Sequence, residues 1–233
     1  MWDKPAKLNL MTNILLIISA LAMMYSIGFV IATSSRFPLK EVKIEGNLKH
    51  TTREQIKLIV EKRLSGNFFT VDLALAREAF EKLPWIRHVS LRRRWPDRLD
   101  VVVEEHEALA RWKTTAIVNT HGELFYAAVS EDLPMLIGPD DAVIQVVDSY
   151  HAFNKMLKPL NMKLTQVALS DRQAWQLITD NELTIELGSE NEKARLNRFI
   201  AVYQSTIAAL KKKITYADLR YPNGFAIRKP VMK

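Results

Sequence analysis

The stretch IRHVSLRRRWPDRLDVVVEE, residues 86–105, decides how the first part of this chain folds. Val89 and Leu91 alternate with His88, Ser90, Arg92 and Arg94. After a turn at 95–97 the alternation resumes with Leu99, Val101 and Val103. Successive strand side chains point to opposite faces, so the spacing predicts a β-hairpin with one apolar and one polar face. Pairing Val89 with Val103 and Leu91 with Val101 sets Arg92 opposite Asp100 and His88 opposite Glu104. Cross-strand pairs of this kind contribute about 0.2–1 kcal/mol each. They favour a solvated sheet face for the arginine run over a nucleic-acid groove or lipid patch.

Working outward toward the N-terminus, residues 72–84 predict a helix. Asp72 stands at its cap, Leu73, Ala76, Phe80 and Leu83 face inward, and Pro84 stops it. Before it, Thr51 and Thr52 offer two overlapping capping boxes with Glu54 and Gln55. The helix they open places Ile56, Ile59, Val60 and Leu64 on one face and ends at Gly66 and Asn67. Earlier still, Val42 and Ile44 alternate with Glu41, Lys43 and Glu45, a half-buried strand. The order is β-α-α-β-β: a small sheet with two helices on one side.

Residues 8–35 contain no charge, and the core of that run, 11–32, is 22 residues long. At ~1.5 Å per residue it makes a helix of about 33 Å, enough to cross a hydrocarbon core of about 30 Å. A cleaved signal peptide is the competing reading, with Lys4 and Lys7 as its basic region and Val30, Ile31 and Ala32 before a cleavage point. Signal-peptide apolar cores run about 7–15 residues, which favours the anchor. Large following domains translocate largely regardless of charge, so the expectation is N-terminus in and body out.

Composition narrows the function classes. The 233 residues carry a net charge of +7 with acidic and basic residues interleaved, which reads as a soluble surface, not a nucleic-acid groove. There is no cysteine, which excludes disulfides, thiol catalysis and cysteine metal sites. The five histidines share no metal-ligand spacing, and no HExxH, G-x-S-x-G, S-x-x-K or P-loop is present. The Glu104, Glu105, His106, Glu107 run alternates faces on a strand and does not converge without a bulge. No cofactor or metal is expected.

Toward the C-terminus the pattern is mostly short strands: 110–112, 116–118, 124–125, 133–137, 164–169, 175–178 and 183–187, with helices at 141–157 and 191–210. The second helix places Leu196, Phe199, Ile200 and Tyr203 on its buried stripe. The chain closes with a strand at 214–221, a turn at 222–224 and a return strand at 225–228. A terminal hairpin of this kind often forms a sheet edge, and an edge is either protected, here by Arg220, Arg228 and Lys229, or covered by a partner's strand.

The segments FPLKEVKIEG (37–46), LPWIRHVSLRRRWPDRLDVVVEE (83–105), ALARW (108–112) and ADLRYPNGFAI (217–227) follow one another after the anchor. In that order they resemble the FtsQ/DivIB family of bacterial division proteins. The patterns W-I-x-x-V-x-L-x-R-x-W-P-x-x-L at 85–99 and D-L-R-Y-x-x-G at 218–224 are the most specific. Ala108 departs from the proline common in the family. The resemblance implies an α+β protein: a short cytoplasmic tail (1–10), a single transmembrane helix (11–32), a polypeptide-transport-associated (POTRA) domain (37–106), and a mainly antiparallel β domain with helices (107–233). It implies a non-enzymatic inner-membrane scaffold at the division septum with its body in the periplasm, binding FtsB-like and FtsL-like bitopic proteins and other divisome components. Self-association is left open. By motif, the partner surface maps to Arg220, Tyr221, Asn223, Gly224 and Phe225, with Arg172 as a second basic contact. A membrane-anchored cell-wall hydrolase and a POTRA-type polypeptide-handling protein are the other function classes the sequence admits.

Overall fold

The computed structural model describes residues 5–34, 37–63, 66–203, 205 and 214–228. They fall into two compact units, Met1–Glu105 and His106–Lys233. The first opens with α1 (Pro5–Thr33), longer at both ends than the expected span. Within it Asn9–Thr33 is long and apolar enough to cross a bilayer, and none of that stretch is buried by the rest of the protein. A soluble domain would cover so many leucines, isoleucines and methionines; here they face outward and suit lipid.

The rest of this unit is β1 (Glu41–Glu45), α2 (Arg53–Arg63), α3 (Leu73–Glu81), β2 (Ile86–Arg94) and β3 (Arg98–Glu105). The hairpin register matches the sequence reading: Val89 faces Val103, Leu91 faces Val101, Arg92 faces Asp100 and His88 faces Glu104. The ion pairs close differently, Arg94 with Asp100 at 2.9 Å and Arg87 with Glu104 at 2.6 Å. Arg87 is the extra residue of a bulge between Ile86 and His88, and that bulge turns Ile86 into the core beside Val89. β1 lies parallel to β3, giving the order β1-β3-β2. α2 and α3 pack on each other, and α3 packs on β2, around Ile56, Ala76, Phe80, Leu99 and Val101.

Both helix starts follow their caps. The Asp72 carboxylate accepts from the Ala74 and Leu75 amides at 2.9 and 3.1 Å. Of the two overlapping boxes, Thr52 with Gln55 forms, each side chain bonded to the other's amide at 3.0 and 3.2 Å. Thr51 is used otherwise: the amides of Lys49, His50 and Thr51 all donate to the Glu105 carboxylate at 2.7, 3.1 and 2.7 Å. Leu64, expected on the inner face of α2, lies outside the described residues.

Among the described residues, the second unit is one mixed sheet with two α-helices and two single-turn 3₁₀ helices, Asp140–Ala142 and Lys158–Leu160. Its strands are β4 (Ala108–Trp112), β5 (Ala116–Asn119), β6 (Leu124–Phe125), β7 (Met135–Ile137), β8 (Leu164–Leu169), β9 (Trp175–Thr179), β10 (Thr184–Gly188), β11 (Tyr216–Asp218) and β12 (Ala226–Arg228). They stand in the order β12-β11-β10-β9-β8-β7-β4-β5-β6. Five of the eight pairings are antiparallel; β4 with β7, β7 with β8 and β10 with β11 are parallel. α4 (Val143–Leu157) packs on β7 and β8, α5 (Glu192–Val202) packs on β10, and the two helices touch. The core between them holds Trp112, Leu136, Phe153, Trp175, Leu177, Ile185 and Phe199. The residues expected to extend the last helix, 204 and 206–210, lie outside the described residues apart from the lone position 205. The expected strand 214–221 forms a ladder only at Tyr216–Asp218, flanked by single bonds from the Thr184 amide to the Thr215 carbonyl and from the Leu219 amide to the Glu186 carbonyl.

Glu105 gives a test of the first unit. Burial pushes its carboxyl up, but the Lys49 amide, the Thr51 hydroxyl and the His50 and Thr51 amides together prevail and hold it below the ordinary glutamate value. A group depressed in the folded state stabilises fully above its unfolded value, about 4.3, and that contribution is lost as pH falls through the lower folded value. Replacing Glu105→Ala strands three donors and is expected to cost about 2 kcal/mol at neutral pH, read from the denaturant midpoint. The loss should shrink as the medium is acidified below about pH 4. An unchanged midpoint at pH 7 would show that the amides find water equally well.

Candidate partner-binding edge

The C-terminal hairpin forms one edge of the nine-stranded sheet: β12 has β11 on one side and, among the described residues, no strand on the other. Its register pairs Tyr216 with Arg228, Ala217 with Ile227 and Asp218 with Ala226. Opposed residues share a face, so the hairpin has two distinct sides. Ile227 lies on the helix-covered side with the buried Ala217, yet 38% of Ile227 remains exposed. Phe225, two residues earlier on that side, does reach α5: its ring meets Phe199 edge-on with centroids 5.5 Å apart. The opposite side is polar. Arg228 stacks over Tyr216 at 5.3 Å, and Arg220 grips Asp218 through two bonds of 2.8 and 2.7 Å.

Each sequence-predicted residue has a definite place. Arg220 is fixed, not free: its guanidinium beside the buried Asp218 holds that carboxyl below the ordinary aspartate value, and Asp218 raises the guanidinium in turn. More than half of the Arg220 side chain still faces solvent. Tyr221 is 55% exposed. Asn223 is exposed and Gly224 half-buried at the tip. A Cβ at Gly224 would meet nothing within 4 Å, so nothing inside the domain requires glycine there. Arg172 sits in the turn between β8 and β9, where the Ser170 amide bonds the Ala174 carbonyl at 2.9 Å. Trp175 faces Gly188 while Asp218 faces Glu186, so that turn and the β11–β12 turn lie at the same end of the sheet. Three strand spacings of about 4.8 Å separate β8 from β11, roughly 14 Å.

Two arginines of α5 that bond backbone carbonyls at this end of the sheet were missed by sequence reasoning. From α5, Arg198 donates to the Pro222 carbonyl and, at 3.2 Å, to the Tyr221 carbonyl. Arg195, one turn earlier, donates to the Leu187 carbonyl at 2.6 Å. Their spacing of three puts both on one helix flank, beside the buried Leu196 and Phe199. That spacing was the available signal, but it does not say which carbonyls the guanidiniums reach.

The acidic run at 104–107 is dispersed. Glu104 pairs with Arg87, and Glu105 holds three amides. The His106 ring stacks on Phe125 at 4.2 Å, and the Glu107 carbonyl accepts from Thr120. Among the described residues no group of three or more histidines and carboxylates is placed to hold a metal ion.

Comparison with known proteins places the chain in a family. Residues 37–106 match the FtsQ-type POTRA domain, and residues 110–220 match the C-terminal region of cell division protein FtsQ/DivIB. Tyr221 to Phe225 thus stand just beyond the matched range. The chain is 41% identical to the cell division protein FtsQ of Nitrosospira multiformis over 233 residues, covering 98% of this chain and 99% of that one. It is 38% identical to the FtsQ protein of Burkholderia pseudomallei over 240 residues, covering 100% and 96%. It is 37% identical to that of Aliivibrio fischeri over 218 residues, covering 89% and 85%. With its apolar N-terminal helix, its POTRA domain and its mixed sheet domain, this chain belongs to the FtsQ/DivIB family of cell division proteins.

Proposed function

We propose that the protein is a bitopic inner-membrane scaffold of the bacterial division septum, with its N-terminus in the cytoplasm, its body in the periplasm and no reaction of its own. It binds an extended segment of an FtsB-like protein, itself paired with an FtsL-like one, which adds a strand to β12. Through that contact and others with the divisome it recruits or regulates septal peptidoglycan synthesis. The observation that carries this reading is the open outer side of β12, three exposed residues whose backbone groups have no strand beyond them among the described residues. An edge of this kind is a template for strand addition, in which main-chain bonds give affinity and alternate side chains give specificity.

The two sides of the hairpin specify the segment. On the helix-covered side, Phe225 and the exposed Ile227 offer an apolar shelf next to α5. On the polar side, Arg220 and Arg228 present cations, and Arg172 adds a third at the same end of the sheet. A segment that alternates apolar and acidic residues fits both sides at once. Arg198 and the Phe199–Phe225 contact keep the edge in place before a partner arrives, which lowers the ordering cost of binding.

A photocrosslinking amino acid at Ile227 in dividing cells is expected to capture an FtsB-like bitopic coiled-coil protein. Capture of a second copy of the chain would replace the partner reading with self-association; capture of nothing in cells that divide normally would sink it. Gly224→Trp should leave the thermal midpoint unchanged, since its Cβ meets open space, while weakening partner binding at least about tenfold, or ~1.4 kcal/mol. Normal binding by that folded variant would remove Gly224 from the site. Arg198→Ala is expected to speed amide exchange over 221–228 by about fivefold to tenfold, from loss of ~1 kcal/mol of local hydrogen bonding, with exchange elsewhere unaltered.

A further inference from the structure

The C-terminal end of α1 and the loop between α2 and α3 are joined through one side chain. A helix end leaves its last carbonyls without intrahelical donors, and at a bilayer surface each needs a partner. The Thr33 hydroxyl donates to Phe29 at 2.8 Å, the Ser34 amide to Ile31 at 3.2 Å, and the Asn67 side-chain amide to Ala32 at 2.6 Å and Ser34 at 2.9 Å. The other end of that amide, Oδ1, accepts from the Phe69 and Thr70 backbone and the Thr70 hydroxyl, each at 2.9 Å. Asn67 is only 7% exposed, so a buried and fully used amide ties the loop to the end of the anchor. A second tie runs from the Phe68 amide to the Phe37 carbonyl at 2.9 Å. The loop is also fixed to its own domain: Val71 is buried, and its carbonyl receives Arg93 at 2.6 Å.

That tie sets a height. Asn9–Thr33 is 25 residues, about 37 Å of helix, and exceeds the ~30 Å hydrocarbon core by several ångströms. Centred on that core, the helix projects a few ångströms at each end, which brings its last residues, and Asn67 within hydrogen-bond distance of them, to the headgroup layer. The loop carries Phe69, 44% exposed and edge-on to Phe37 at 5.3 Å, and the first turn of α3, which follows the loop, carries Leu75, 58% exposed. Lys62 lines the same groove as Leu75. An exposed ring on the loop and an exposed leucine beside a lysine are what an interfacial lipid contact uses: the apolar parts enter the acyl boundary while the ammonium stays with the phosphates.

We infer that the α2–α3 loop seats the POTRA domain on the lipid surface, with Phe69 and Leu75 in the interface, Lys62 toward anionic headgroups and Asn67 as the tie to the anchor. The inference rests on α1 spanning the bilayer. Because the chain has no cysteine, single spin labels can be placed without background. Labels at Leu21, Phe69 and Ser90 would be compared in the full chain, in bilayers of phosphatidylethanolamine and phosphatidylglycerol, by accessibility to oxygen and to a water-soluble nickel chelate. The Leu21 label should lie in hydrocarbon, the Ser90 label on the polar sheet face in water, and the Phe69 label at headgroup depth. Asn67→Asp, which keeps the Oδ1 acceptor but sets a carboxylate oxygen against two carbonyls, should move the Phe69 label into water and leave Leu21 in place. A Phe69 label as open to nickel as the Ser90 label, with Leu21 in hydrocarbon, would overturn the seating alone. A Leu21 label in water would overturn the anchor first, and an unmoved Phe69 label in Asn67→Asp would overturn Asn67 as the tie.

Discussion

The outer edge of the large sheet depends on the grip of α5 on the last hairpin. A three-residue strand with all its side chains exposed has little of its own to hold it in register. Short hairpins are marginal in water, and what stabilises them is packing on a larger body. Here that body supplies an aromatic contact, Phe199 on Phe225, and a guanidinium, Arg198, on two carbonyls of the turn. Asp218 and Arg220 close the other face. The edge is thus held from within the domain while, among the described residues, no strand covers its outer row of backbone groups.

The same arrangement sorts residues 220–227 into those engaged within the domain and those left facing outward. Phe225 and Arg220 are already engaged inside the domain, so changing either one disturbs the hairpin as well as any contact it makes. Gly224 and Ile227 carry few internal duties and are the cleaner reporters of what lies outside. A sequence motif lists such residues as equals, whereas burial and hydrogen bonding rank them.

The first unit shows a related economy around Glu105 and Asn67. Both are buried or half-buried polar groups at chain junctions, and both satisfy several backbone groups at once. Glu105 organises the approach to α2, where three consecutive amides would otherwise need separate acceptors. Asn67 does the same for a helix end and a loop. Leaving one partner of such a cluster unmatched costs more than the bond itself contributes, which is why single side chains can set these junctions.

Much of this architecture was legible in the chain itself. The period-2 alternation of 86–105 gave the two faces of the hairpin, and the turn at 95–97 then picked the register that pairs Val89 with Val103 and Leu91 with Val101. The uncharged run gave the anchor, and the caps at Thr52 and Asp72 gave the starts of both helices. The Asp218 to Gly224 motif gave the family and the hairpin. These features are local, set by neighbours within a few residues, and local order is what sequence periodicity encodes. Everything that joins distant segments required the fold. The parallel placement of β1 beside β3, the three parallel pairings of the large sheet, the diagonal ion pairs of the arginine run and the reach of Arg198 to the turn all depend on long-range packing. Such contacts form only when burial of apolar surface brings remote segments together, and no spacing along the chain records which segments those are.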